Sequence, residues 1–194
     1  MEIYEDELLD NVPDSNVTAA GLPIPGCSNY LIFPSGIVKN RSTGRELRHS
    51  HTLQGAIKVS IKGDEGRLRT YSVKRLVAES FLPPITDMID VAEPDLWNTP
   101  IQLDGNQDNV HVFNLAWRPR NFAHRYSRQF LNDYGYYHQE GVLNVSRELA
   151  YENIYDAAIT DGVLMSDILL ACYWGGGEEI RPERLFGYIY EFID

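Results

Sequence analysis

Ile101-Gln102-Leu103-Asp104-Gly105-Asn106-Gln107-Asp108-Asn109-Val110-His111-Val112-Phe113-Asn114-Leu115-Ala116-Trp117 is the stretch on which the reading of this chain turns. It sets an Asp-Gly-Asn turn and a polar loop between two short runs, and Asn121-Phe122-Ala123-His124 follows it closely. Asp104 and Asp108 are candidate ligands for a hard cation, which takes carboxylate oxygens. An Asp-Gly-Asn turn is, however, commonly held by its own side chains. His111 and His124 are candidate bases, because imidazole titrates near neutral pH. The plainer expectation is a histidine pointing out of a loop and another capping or decorating a helix.

Upstream, Tyr30-Leu31-Ile32-Phe33, Gly36-Ile37-Val38-Lys39, Ala56-Ile57-Lys58-Val59-Ser60-Ile61 and Arg67-Leu68-Arg69-Thr70-Tyr71 are short β-type runs. Turns at Ser42-Thr43-Gly44 and Gly63-Asp64-Glu65-Gly66 separate them, which predicts a small antiparallel sheet. Ser72 to Phe81 has apolar residues at helical spacing and stops at Leu82-Pro83-Pro84, which predicts a helix on that sheet. Residues 85–99 read as a loop carrying Trp97. Downstream, Asp133-Tyr134-Gly135-Tyr136-Tyr137-His138 reads as a connector, and residues 147–160 and 164–174 as two helices parted by Asp161-Gly162. The second ends at Gly175-Gly176-Gly177, and Leu185 to Phe192 reads as a last strand. Helix, glycine turn, helix and strand is the order of a winged helix-turn-helix. The expected division is an acidic arm over 1–29, a β module with one helix over 30–84, the central motif over 85–132 and an acidic helix-turn-helix-like module over 133–194.

Charge follows this division. The chain has 194 residues and a net charge of −11. Residues 1–29, 30–130 and 131–194 carry −6, +4 and −9, so a mildly basic centre lies between acidic flanks. Such blocks set long-range fields and not fold. A nucleic-acid binder is expected to present a basic face, so the flanks either point away from the nucleic acid or take its place. The two cysteines, Cys27 and Cys172, supply neither a disulfide framework nor a cysteine zinc site. No apolar run reaches eighteen residues, and Met1 to Glu7 is acidic where an export signal is basic and then apolar. The expectation is a soluble, unexported protein in a reducing interior, with no membrane partner.

Three stretches, in order, resemble phage HNH homing endonucleases. The first runs from Tyr30 to Pro83 and ends in Val-Lys-Arg-Leu-Val-Ala-Glu-Ser-Phe-Leu-Pro, similar to a family helix that opens Val-His-Arg-Leu-Val-Ala, with Lys74 in place of the histidine. The second is the central stretch, where Asp104, Gly105, Asn106, Asn114, Leu115 and Trp117 fall in the family's register. The third, Ile154-Tyr155-Asp156-Ala157-Ala158 through Ile168-Leu169-Leu170-Ala171-Cys172 to Gly187-Tyr188-Ile189-Tyr190, is similar to the small helix-turn-helix that follows many such nucleases. The fold implied is α+β: a small antiparallel β module, a ββα-metal motif and a winged helix-turn-helix-like module.

The resemblance also implies a chemistry. A histidine activates water, and the acid before it joins an asparagine of the helix in holding one divalent ion. The base position here is Gln102 and the acid position Ile101. An amide does not accept a proton near neutral pH, and isoleucine cannot ligate Mg²⁺. Asn114 matches the asparagine that braces the loop, and Asn121 the metal-binding asparagine if two residues are missing after Trp117. The expectation is a catalytically degenerate nuclease relative, reused as a structural or accessory subunit that contacts protein: a partner, a second copy or a phage assembly. No cofactor is expected, and Mg²⁺ only with residual nuclease activity. The second helix of the last module has no Lys or Arg and ends in Tyr173 and Trp174, candidate protein contacts. Two alternatives stand beside this. One is an endonuclease with a displaced base, His111 or His124. The other is a DNA-binding regulator gripping phosphate through Arg41, Arg45, Lys74 and Arg75 in the β module and Arg118, Arg120, Arg125 and Arg128 around the motif helix. The implied setting is host cytoplasm or phage virion.

Overall fold

A computed structural model describes residues 20–83, 96–131, 135–174 and 188–193. These residues fall into two compact units, the first built from 20–83 and 107–115 and the second from the remainder.

In the first unit, β1 (Leu22–Ile24), β2 (Cys27–Ile32) and β3 (Val38–Asn40) form one antiparallel sheet. A second antiparallel sheet holds β4 (Ser50–His51), β5 (Ile57–Lys62) and β6 (Leu68–Ser72). β5 shows the rule by which strands choose a face: Ile57, Val59 and Ile61 are buried while Lys58, Ser60 and Lys62 are not. Helix α1 (Val73–Phe81) turns Val73, Leu76, Val77 and Ala78 inward, and Pro83 ends it. Asp64, in the turn before β6, accepts from the Ser28 backbone N–H at 2.9 Å and its hydroxyl at 2.8 Å, tying one sheet to the other. Residues 107–115 complete this unit. Val110 and Val112 are buried, and the Val112 N–H donates to the Pro34 carbonyl at 2.9 Å. Gly36 (φ +87°) passes against Val110, where a Cβ would collide.

In the second unit, β7 (Thr99–Gln102) pairs with β8 (Leu115–Arg118), and α2 (Arg120–Gln129) follows directly, so the order is β, loop, β, α. Ile101, Ala123, Tyr126 and Leu164 form a small core between these elements. The fully buried Tyr126 hydroxyl lies between the carbonyls of Leu103 (2.8 Å) and Ala158 (3.1 Å), which share its one proton. A second core gathers α3 (Ile154–Asp161) and α4 (Met165–Trp174) on an antiparallel sheet of β9 (Val142–Asn144), β10 (Leu149–Tyr151) and β11 (Tyr190–Phe192), with β9 central. Asn153 caps α3 by accepting the Asp156 N–H at 2.8 Å, and Gly162 closes it in the left-handed conformation.

The small antiparallel sheets and the four helices of the described residues agree with the expected α+β class. Several boundaries differ. Residues 22–24 and 27–29 are strand, joined by a turn at Pro25-Gly26, and Ile24 and Cys27 are buried, so they leave the expected arm; residues 1–19 lie outside the described residues. The expected 85–132 block is divided, because 107–115 packs with the first unit. Its residues 85–95 and 132, and residue 84 before it, lie outside the described residues. The helix expected from 147 starts only at Ile154, since Leu149–Tyr151 pairs with β9. Of the tyrosine-rich connector, Asp133 and Tyr134 lie outside the described residues, as do Gly175-Gly176-Gly177 and residues 185–187 of the last strand.

Candidate functional site

The residues that would carry nuclease chemistry sit on β7, the loop after it, and α2. β7 is covered on both of its faces. Ile101 and Gln102 are both interior, at 4% and 8% exposure. The Gln102 carbonyl accepts from Gly105 N–H at 3.2 Å, and Asp104 Oδ1 accepts from Asn106 N–H at 2.8 Å, so the Asp-Gly-Asn turn is held from within. Gly105 (φ +70°) lies flat against the Phe130 ring, where any Cβ would clash.

The loop side chains are engaged in local structure. His111 Nδ1 accepts from the Phe113 N–H at 3.3 Å, beside the Phe113 ring. Asn114 Nδ2 donates to the Asn109 carbonyl at 2.8 Å and so braces the loop. Exposed Asp108 pairs with His51 Nε2 at 3.1 Å within the first unit. On α2, Asn121 Oδ1 accepts from the Phe122 N–H at 2.8 Å, and His124 is exposed. Among the described residues no three His, Cys, Asp or Glu side chains are brought together to hold a metal ion. The positions that would hold one do not fit it: an interior isoleucine and an interior amide cannot supply the carboxylate oxygen or the imidazole that such a site uses.

The cations divide by environment. Arg118 is half-buried, and burial lowers its pKa; its guanidinium donates to the carbonyls of Trp117 (2.8 Å), Asp161 (3.0 Å) and Gly162 (3.0 Å). Those bonds fasten β8 to the C-terminus of α3 and give Arg118 a structural task. Arg120, Arg125 and Arg128 are exposed with Asn121 and His124, opposite the buried Ala123 and Tyr126, and α2 contains no acid. Arg125 lies 3.7 Å from Asp167. In the first unit Arg41 and Arg45 are exposed, Arg75 pairs with Glu79 at 2.8 Å, and burial lowers the pKa of Lys74.

The start of α4 is occupied by α2. The Met165 N–H donates to Gln129 Oε1 at 2.9 Å, and Met165, Ile168 and Ala171 face the core. Leu170 and Tyr173 face outward, 52% and 69% exposed, and the Tyr173 ring meets Phe192 edge-on at 5.2 Å. The Trp174 side chain lies outside the described residues. Cys172 is a half-buried thiol whose pKa burial pushes up to about 12, so it stays protonated.

Sequence reasoning passed over one cluster. Asp161, expected only to separate two helices, buries its carboxylate among Asn144 Nδ2 (2.9 Å), Tyr151 OH (3.0 Å), Tyr190 OH (2.6 Å) and Arg147 Nη1. Burial, reinforced by Asp161, holds the Tyr151 and Tyr190 hydroxyls well above the usual tyrosine range. An acid just before a helix-ending glycine was the one visible signal.

No family model matches the sequence, and no curated protein does. Among solved structures the chain is similar to the HNH homing endonuclease I-HmuI, in a structure titled "DNA binding and cleavage by the HNH homing endonuclease I-HmuI". The identity is 18% and the TM-score 0.46, over 90% of this chain and 98% of that one.

Proposed function

We propose that this chain is an HNH-type scaffold that does not cut nucleic acid and instead acts by contact, as a non-catalytic accessory subunit. One observation carries the reading. The positions that the motif assigns to acid and base are Ile101 and Gln102, and both residues are buried. A general base must reach the water it deprotonates. Loss of a base or of a metal-held nucleophile removes orders of magnitude in rate. Leu170 and Tyr173 on the outer face of α4 are the contact residues this reading assigns to a protein partner, with a phage assembly as the setting the motif resemblance suggests.

The test is nicking of supercoiled DNA with Mg²⁺ or Mn²⁺ by the parent chain. No metal-dependent nicking is expected, and nicking that disappears in His111→Ala or His124→Ala would overturn the reading in favour of a displaced base.

A second reading, a DNA-binding regulator that does not cleave, is favoured by the acid-free, arginine-bearing face of α2. It expects DNA affinity to fall steeply with salt, and Arg120→Ala with Arg125→Ala to flatten the slope of log K against log salt by about two. A flat slope in the parent ends it.

A further inference from the structure

Beside the Asp-Gly-Asn turn, wholly within the second unit, lies a cleft of about 280 Å³. Its polar lining is Asp104, Asn106 and Gln129, and its apolar lining Phe130, Tyr155 and Met165. Ligand sites run from about 300 to 1,000 Å³ for drug-sized molecules, so this cleft suits a ligand of one or two rings.

Gln129 separates it from an ordinary packing gap. Its Oε1 is committed to the Met165 N–H at 2.9 Å, which fixes the sense of the amide. Its Nε2 is a buried donor that finds no hydrogen-bond partner among the described residues. Buried donors are paired in the large majority of cases, and an orphan is costly until something accepts from it. Across the polar lining, Asp104 brings a carboxylate, an acceptor only. The aromatic lining is set edge to face, with the Phe130 and Tyr155 centroids 6.1 Å apart. The cleft therefore asks for a ligand that accepts from Gln129, donates to Asp104 and packs a flat, apolar surface against the aromatic lining. Guanine meets all three conditions: its N1–H and N2–H are neighbouring donors that suit a carboxylate fork, O6 beside them accepts, and its faces stack. Adenine, cytosine and uracil lack that adjacent pair of donors.

We propose that this cleft is a binding site for a guanine base. A free guanine nucleotide and an unpaired guanine in a single strand present the same edge. The proposal is independent of whether the chain is an accessory subunit or a regulator.

Equilibrium dialysis of the full chain with GMP, AMP, CMP and UMP, and with an oligothymidylate strand with or without one guanine, tests it. GMP is expected to bind about tenfold or more tightly than AMP. Gln129→Glu keeps an acceptor for the Met165 N–H and turns the donor into an acceptor; Asp104→Asn keeps the acceptor for the Asn106 N–H and removes the carboxylate. Each is expected to weaken GMP about tenfold. Tighter binding of GMP than of the guanine strand assigns a free nucleotide, and the reverse assigns an unpaired base. Equal binding of GMP and AMP, no binding of either GMP or the guanine strand, or both variants binding as the parent does overturns the proposal. Should a variant lose its fold, the Met165 methyl resonance of the parent decides: it shifts on addition of the guanine ligand if the site is real, and its failure to move is equally fatal.

Discussion

Asp161 gathers four donors from three strands and the turn between β9 and β10, and so ties the end of α3 to the sheet. Asp161→Ala leaves a buried amide and two hydroxyls unpaired and strands Arg147, and stability is expected to fall by about 3 kcal/mol in urea unfolding. Asp161→Asn, which keeps one acceptor, is expected to lose less. The cluster, together with Tyr126 of the small core beside β7, sets a pH response. Tyr126, Tyr151 and Tyr190 have raised pKa values, first through burial, so the folded state favours their neutral form. That contribution is whole below the unfolded tyrosine pKa of about 10 and is lost as pH rises through the folded values. Alkaline titration should therefore show tyrosinate absorbance rising together with loss of helix signal, above about pH 10. Independent, early ionisation of all twelve tyrosines would contradict this. Gly105→Ala meets the Phe130 ring and a left-handed backbone at once, and a loss of about 1–3 kcal/mol is expected in the same urea assay.

At the level of elements, legibility followed locality. β5 was readable because its alternation is written in six consecutive residues, and α1 because its apolar spacing runs straight into Pro83. β1 was not, since Gly21-Leu22-Pro23-Ile24-Pro25-Gly26 has the composition of a turn. It is an edge strand, the one place in a sheet where Pro23 does no harm. The start of α3 was signalled by Asn153 and Asp156, yet the stretch from 147 looked helical until β9 claimed Leu149–Tyr151. Asn153→Ala should cost about 1 kcal/mol, measured by thermal unfolding, if that cap sets the boundary. The candidate site was half legible. Ile101 and Gln102 could be named from the motif, but their burial could not. The guanine cleft was invisible, because its lining comes from residues 104–106, 129–130, 155 and 165, which only the fold unites.

At the scale of the whole molecule, each unit buries apolar residues of its own, and the three tryptophans, Trp97, Trp117 and Trp174, all belong to the second. Tryptophan fluorescence therefore reports one unit and far-ultraviolet dichroism both. Val59→Ala, in the first core, should lower the dichroism midpoint while leaving the fluorescence midpoint in place; a common shift would mean that the two units melt as one. The first unit also has an unusual order of assembly. Val110 and Val112 fill its interior, yet they are encoded after β7, a strand of the other unit. During synthesis from the N-terminus, the sheets and α1 emerge before the residues that finish their core. The nascent module thus waits, open, until residue 115 has left the ribosome. For the same reason, gene fusion or shuffling with a cut just after Pro83 would transfer an unfinished fold.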